Sequence, residues 1–233
     1  MNDDGSAAND AFRAIPVADG AIPTAVLGPE DPSGVPGLVV IPSIFGPAPD
    51  LLARLSEFAE RALVVVPDPF WREGGGVIDY DQFESAVGRL RGFAPGRCID
   101  DLEHVIDWTA ARCNGRIVGL GICFGGPFVL RFAAEGRLHG VVTWHGSRLQ
   151  EHLQRAGDIT CPLRLHFGDA DPITPPEVIE AVRSAFASHP DVDLVVHRGA
   201  DHGFSHDGAS FDANACRAGL DAVAELLSGP PPP

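Results

Sequence analysis

The stretch Arg116-Ile-Val-Gly-Leu-Gly-Ile-Cys123-Phe-Gly-Gly-Pro127-Phe-Val-Leu-Arg-Phe-Ala-Ala-Glu135 decides the fold. Its apolar run Ile117–Ile122 reads as a buried strand. Its second half, from Pro127 to Ala134, reads as a helix, with Pro127 in the first turn, where no backbone N–H is needed. Between them Gly121-Ile122-Cys123-Phe124-Gly125-Gly126 must turn sharply. The glycines let strand and helix approach closely enough to hold a strained corner. One reactive side chain, Cys123, sits at that corner, a layout that pushes a nucleophile out at the top of a sheet. An isolated Cys in an apolar segment is commonly inert core. Two residues downstream count against that plainer reading: Asp171 and His202, each just after a strand-like run and in the chain order nucleophile, acid, base.

Outward from the corner, apolar runs at Leu38–Ile41, Ala62–Val66, Gly140–Trp144, Leu163–Phe167 and Val192–His197 read as strands. Thr24–Leu27 reads as an edge strand. Helices are expected over Leu51–Glu60, Tyr80–Arg91, Ile99–Cys113, Arg148–Arg155, Pro176–Ala187 and Phe211–Leu227, with Arg72–Gly76 too glycine-rich for regular structure. The alternation implies a single α/β domain over residues 12–228: a mostly parallel sheet with helices on both faces. Residues 1–11 and the Pro-rich 229–233 read as tails. Ligands of such sheets bind beyond the carboxyl ends of the strands, the rim that carries Cys123, Asp171 and His202.

Composition narrows the function. The chain has 233 residues, 45% hydrophobic and 21% charged, with net charge −15 and every basic side chain an arginine. That balance argues against nucleic-acid and anionic-membrane partners and leaves a small-molecule substrate; a homodimer stays open. Five scattered cysteines without a C-x-x-C pair suggest a reducing, cytoplasmic setting. No secretory signal pattern or membrane-length apolar run is seen. No cofactor is implied. His202 and His206 are four apart, a metal-ligand spacing, but Gly203 and the strand-end context disfavour a helix there, and no metal is expected. Asp169 and Asp171 lack the oxygen-rich loop of a calcium site.

A Cys needs a base to ionise, and the base needs a carboxylate to orient it. Ile44-Phe45-Gly46, Pro67-Asp68, Gly-x-Cys-x-Gly-Gly around Cys123, Gly-x-x-Asp ending at Asp171 and Ala-x-His-x-Phe around His202 together resemble the dienelactone hydrolase family of α/β-hydrolases, over most of the chain. The resemblance implies a Cys123–His202–Asp171 triad, with Asp169 the rival acid. It also implies an oxyanion hole from the Phe124 and Ile44 amides, and ester or lactone hydrolysis through an acyl-enzyme. Two departures bear on substrate. Dienelactone-cleaving members carry Glu where this chain has Ser43, and hold the substrate carboxylate with arginines, one of them where this chain has His206. Arg72, Arg89 and Arg91 lie in the region of the second. Ser43, Phe70, Trp71, His145, Phe204 and His206 are the candidate substrate contacts. A phosphotriesterase using the same thiol, and a non-catalytic binder of small apolar ligands, are the alternatives; a peroxidase-like role lacks a nearby second Cys.

Overall fold

The computed structural model describes residues 12–230; the tail expected over 1–11, and residues 231–233 of the C-terminal one, lie outside them. Eight strands form one sheet in the order β1-β2-β4-β3-β5-β6-β7-β8. They are β1 (Phe12–Val17), β2 (Gly20–Leu27), β3 (Gly37–Ile41), β4 (Leu63–Pro67), β5 (Ile117–Ile122), β6 (Gly140–Trp144), β7 (Leu163–Gly168) and β8 (Val192–His197). From β4 to β8 all neighbours run parallel; β2 runs antiparallel to β4 and to β1.

Among the described residues six α-helices cover the sheet: α1 (Pro49–Leu55), α2 (Phe83–Gly88), α3 (Pro95–Ala110), α4 (Gly126–Ala134), α5 (Pro176–Ala185) and α6 (Ala213–Leu227). Alternate residues of the buried strands feed two cores, as the two-residue pleat requires. Val39, Val65, Ile117 and Val141 meet Leu102, Val105, Val129 and Phe132 of α3 and α4 on one face. Leu38, Val64, Val118 and Val142 meet Leu51 and Leu55 of α1 and Leu220 and Val223 of α6 on the other. None of the described helices is long and apolar enough to cross a membrane.

Several elements depart from the sequence-based expectation. Thr24–Leu27 belongs to a longer strand that is not an edge: β1 pairs along it through a tight hairpin, with Val17 opposite Gly20. Pro16 sits on β1, the true edge, where a missing N–H costs no ladder bond. Helix α3 starts four residues early, because Pro95 occupies its first turn rather than breaking it. The helix expected over Tyr80–Arg91 shortens to α2 plus a 3-10 turn at Arg89–Arg91. Its first residues are drawn away, with the Tyr80 hydroxyl donating to Asp50 at 2.8 Å. The segments after α1 and after β6 are 3-10 helix, Ser56–Phe58 and Leu149–Asp158.

The Arg72–Gly76 stretch is held by buried partners. Asp68 accepts from Phe70 N (3.0 Å) and Gly76 N (2.5 Å), and Arg89 donates to the carbonyls of Gly75 (3.0 Å), Gly76 (2.9 Å) and Ile44 (3.1 Å). Arg89 thus ties this stretch to the loop after β3. Because β3 lies between β4 and β5, the loops after β3 and β5 flank the point where strand order reverses, the position of the crevice in open α/β sheets.

Candidate active site

Cys123 follows β5 directly, opens a 3-10 turn (Cys123–Gly125) and runs into α4. The turn depends on absent side chains: a Cβ on Gly125 would stand 1.9 Å from the Ile41 carbonyl oxygen, and one on Gly121 2.6 Å from the Gly125 oxygen. Cys123 itself takes φ +50°. Among the described residues the other non-glycine positive φ values are His145 (+39°) and Arg148 (+56°), both on the loop after β6 beside it. Such conformations cost of order 1–3 kcal/mol each and persist only where surrounding structure imposes them. Strain is therefore gathered on one rim, and Ser147 N, donating to the Cys123 carbonyl at 3.1 Å, joins the two loops.

His202 lies across the crevice. Its Nε2 is 3.1 Å from Cys123 Sγ and its Nδ1 is 2.7 Å from Asp171 Oδ2. The other oxygen of Asp171 accepts from Ile173 N (2.7 Å) and Thr174 N (3.1 Å), which fixes the carboxylate. Asp169, the rival acid, faces away and accepts from Gly199 N at 2.6 Å. Burial works against a charged His202, but the hydrogen bonds to Asp171 and Cys123 outweigh it and raise its pKa to about 10. Burial likewise works against the Asp171 carboxylate, yet the bonds from His202 and the two amides hold it below the usual range. The Phe124 and Ile44 amides, the two implied oxyanion donors, donate to no acceptor among the described residues.

Cys123 and His202 open onto a cavity of about 690 Å³. Its apolar wall is Ile44, Phe45, Tyr80, Phe83, Leu90 and Ile173; Asp81, Asp201, Asp207, Ser147 and Arg148 supply polar lining. Of the candidate substrate contacts, His206 lines the cavity, stacked on Tyr80 at 4.5 Å, and burial lowers its pKa to about 4. Ser43, Phe70, Trp71, His145 and Phe204 do not line the cavity. The Ser43 hydroxyl accepts from Phe45 N at 3.4 Å. Phe70 packs on Phe124 and Phe93. Trp71 Nε1 donates to Asp101 at 2.9 Å. His145 and Phe204 are fully buried, their rings edge to face at 4.8 Å.

The arginines from the same region are engaged elsewhere. Arg72 bridges Asp101 and Asp19, Arg89 is spent on carbonyls, and Arg91 is exposed and does not line the cavity. The arginine on the wall, Arg148, pairs with Glu151 through two bonds (2.9 and 2.6 Å). The residues that sequence reasoning missed are Tyr80, Phe83, Leu90 and Ile173: Phe83 opens α2, Leu90 lies in the 3-10 turn at Arg89–Arg91, and Tyr80 and Ile173 lie between regular elements. Their one signal was large apolar side chains in stretches that offer no core face.

Comparison with known proteins agrees with this layout. The profile of the dienelactone hydrolase family matches residues 22–228. A protein of Azospirillum brasilense is 31% identical over 91% of each chain, and the carboxymethylenebutenolidase of Pseudomonas putida is 25% identical over 91% of this chain and 95% of its own. Among solved structures, a dienelactone hydrolase-like promiscuous phosphotriesterase from metagenomic libraries superposes with a TM-score of 0.73 at 26% identity, covering 93% of this chain and 97% of the other. A cysteine-bearing corner after β5, a His and an Asp on the neighbouring rim and a family match over nearly the whole chain lead to one assignment: this chain belongs to the dienelactone hydrolase family of α/β-hydrolases.

Proposed function

We propose that this protein hydrolyses esters or lactones with Cys123 as nucleophile. The observation that carries the reading is the unbroken relay from Cys123 Sγ through His202 to Asp171, at 3.1 and 2.7 Å. In the first step Sγ bonds to the carbonyl carbon, and the proton it shared with His202 rests on Nε2. The tetrahedral oxyanion takes the free Phe124 and Ile44 amides, the kind of donor pair whose loss costs about 10²–10³ in rate. The C–O bond then breaks and His202 gives its proton to the departing alcohol. Water attacks the thioester, His202 takes its proton, and the acid leaves with Sγ restored. Asp171 holds the imidazole in the tautomer this sequence needs.

The substrate is less anionic than a dienelactone. No arginine on the cavity is free of a partner, and Asp81, Asp201 and Asp207 lie along it. The neutral His206 stands where carboxylate-binding relatives carry an arginine. With Ser43 in place of the family Glu, the loop after β3 brings no negative charge to the thiol. A second reading has one observation in its favour. The metagenomic phosphotriesterase shares 26% identity over most of both chains, and the same thiol and amides suit attack at the phosphorus of a neutral aryl phosphotriester.

The test sets p-nitrophenyl acetate, an ester of equal size bearing a carboxylate, and a neutral aryl phosphotriester before wild type and Cys123→Ala. Turnover of the neutral ester at least tenfold above the anionic one, and abolished in the variant, is the expected result. Full activity in Cys123→Ala excludes the mechanism, and preference for the anionic ester excludes the substrate class.

A further inference from the structure

His145 has no task in the hydrolytic account. It is fully buried. Its Nε2 lies 2.8 Å from Ser205 Oγ, while its Nδ1 is buried with no partner among the described residues. Buried side-chain polar atoms are in the large majority hydrogen-bonded, so an orphan of this kind calls for an explanation. The ring nevertheless stands edge-on to His202, with centroids 4.9 Å apart. Cys123 Sγ, a ring nitrogen of His202 and one of His145 all lie within 4.8 Å of one another.

We propose that Cys123, His202 and His145 form a binding site for a thiophilic divalent cation of the zinc class, and that occupancy switches the thiol off. Zinc takes sulfur at about 2.3 Å and imidazole nitrogen at about 2.0–2.1 Å, which sets its donors roughly 3.3–3.6 Å apart. Cys123 and His202, at 3.1 Å, are already near that spacing; His145 closes the rest by a ring swing of about 1 Å. The outer groups are also in place. Asp171 on Nδ1 of His202 leaves Nε2 as the donor, the carboxylate–histidine–metal arrangement of natural sites. Ser205 on Nε2 of His145 leaves Nδ1, the unpartnered atom, as the other. Three protein ligands leave the fourth position for water on the cavity side.

The balance is simple. The cation forms one bond to Sγ and one to each imidazole, and the single proton that Cys123 and His202 share departs to solvent. The second proton of His202 stays on Nδ1 against Asp171, and no electron is transferred. Loss of hydrolysis rests on the reading above; binding does not. These residues are 22 and 57 positions apart in sequence, so no spacing rule reveals them. His206, whose four-residue spacing from His202 is the one such a rule picks out, stacks on Tyr80 and is not part of the cluster.

The decisive experiment titrates metal-free wild type with zinc chloride and, for its spectrum, cobalt chloride. One equivalent is expected to bind with release of one proton, a sulfur-to-cobalt absorption band, and loss of p-nitrophenyl acetate hydrolysis that a chelator reverses. X-ray absorption of the zinc complex should count one sulfur and two imidazoles. His145→Phe should weaken zinc by more than the 10–100-fold typical of losing an outer-shell partner, with inhibition read against that variant's own metal-free rate, while Cys113→Ser should leave affinity unchanged. One imidazole in the wild-type spectrum, or equal affinity in His145→Phe, overturns the proposal. Should His145→Phe fail to fold, the wild-type spectrum decides alone. Stoichiometric binding by a protein with no esterase activity would leave this site standing and overturn the hydrolytic reading instead.

Discussion

Two buried histidines at neighbouring strand ends meet opposite fates. His166, in β7, faces another histidine: its Nδ1 is 3.0 Å from Nε2 of His197, the rings stacked at 5.2 Å. Burial, and then the neighbouring His197 charge, lower its pKa to about 4. His202 is also largely withdrawn from water, yet it faces Asp171 on one side and Cys123 on the other, and its pKa rises to about 10. Burial alone makes an imidazole neutral and inert. What converts one into a proton carrier is a fixed carboxylate, and here that carboxylate is itself fixed by two backbone amides.

The comparison breaks most visibly at the carboxylate. Asp171→Asn should lower kcat for p-nitrophenyl acetate by about 10⁴, since the imidazole loses its tautomer and its countercharge. Its pH profile should shift toward acid as the His202 pKa falls back toward 6.5. A loss smaller than tenfold would mean that His202 does not depend on Asp171.

The two histidines should also limit stability at opposite ends of the pH scale. The folded pKa of His166 lies below its unfolded value, so its contribution is complete above about pH 6.5 and is lost as pH falls through 4. The folded pKa of His202 lies above its unfolded value, so its contribution is complete below about pH 6.5 and is lost as pH rises through 10. The His166 shift amounts to about 3 kcal/mol and the larger His202 shift to about 5 kcal/mol. In His166→Phe the fall in Tm between pH 6.5 and 4 should become shallower while kcat stays within twofold; an unaltered acid limb would remove His166 from the account.

A smaller effect is expected where backbone rather than charge sets the site. Gly125→Ala drives a methyl against the Ile41 carbonyl oxygen, 1.9 Å away unless the turn opens. Overpacking of this kind costs about 1–3 kcal/mol, and chemical denaturation should show it together with a loss of activity larger than the loss of folded protein. A variant as stable and as active as wild type would show that the corner is not held by this close approach.

The corner, the buried strands and the acid and base loops were legible because each is written locally. Ile117–Ile122 is a continuous apolar run, Gly125 and Gly126 follow Cys123, and Asp171 and His202 each lie in the loop after a strand. The hairpin strand β1 was not, because Pro16 and the exposed Phe12–Ala14 mask an alternation that buries only Ile15 and Val17. Nor were the cavity walls. Phe70, Trp71 and Phe204 carry the aromatic signal, yet packing turns them inward, while Tyr80 and Ile173 reach the cavity from loops and Phe83 from the start of α2, in a region tied to distant partners such as Asp50 and Arg89. Long-range charge pairing was equally hidden: nothing in the sequence says that Arg72 is taken by Asp101, whereas Arg148 and Glu151 are three apart and locally legible.

The account rests on one thiol, and stoichiometric alkylation tests it most directly. Iodoacetamide is added in substoichiometric steps to the metal-free protein, peptide mapping gives the modified fraction at each of the five cysteines, and p-nitrophenyl acetate hydrolysis is measured on the same samples. Cys123 should be modified first, and residual activity should equal the fraction of Cys123 left free. Hydrolysis that survives full alkylation of Cys123, or that tracks Cys98, Cys113, Cys161 or Cys216 instead, would contradict the central claim.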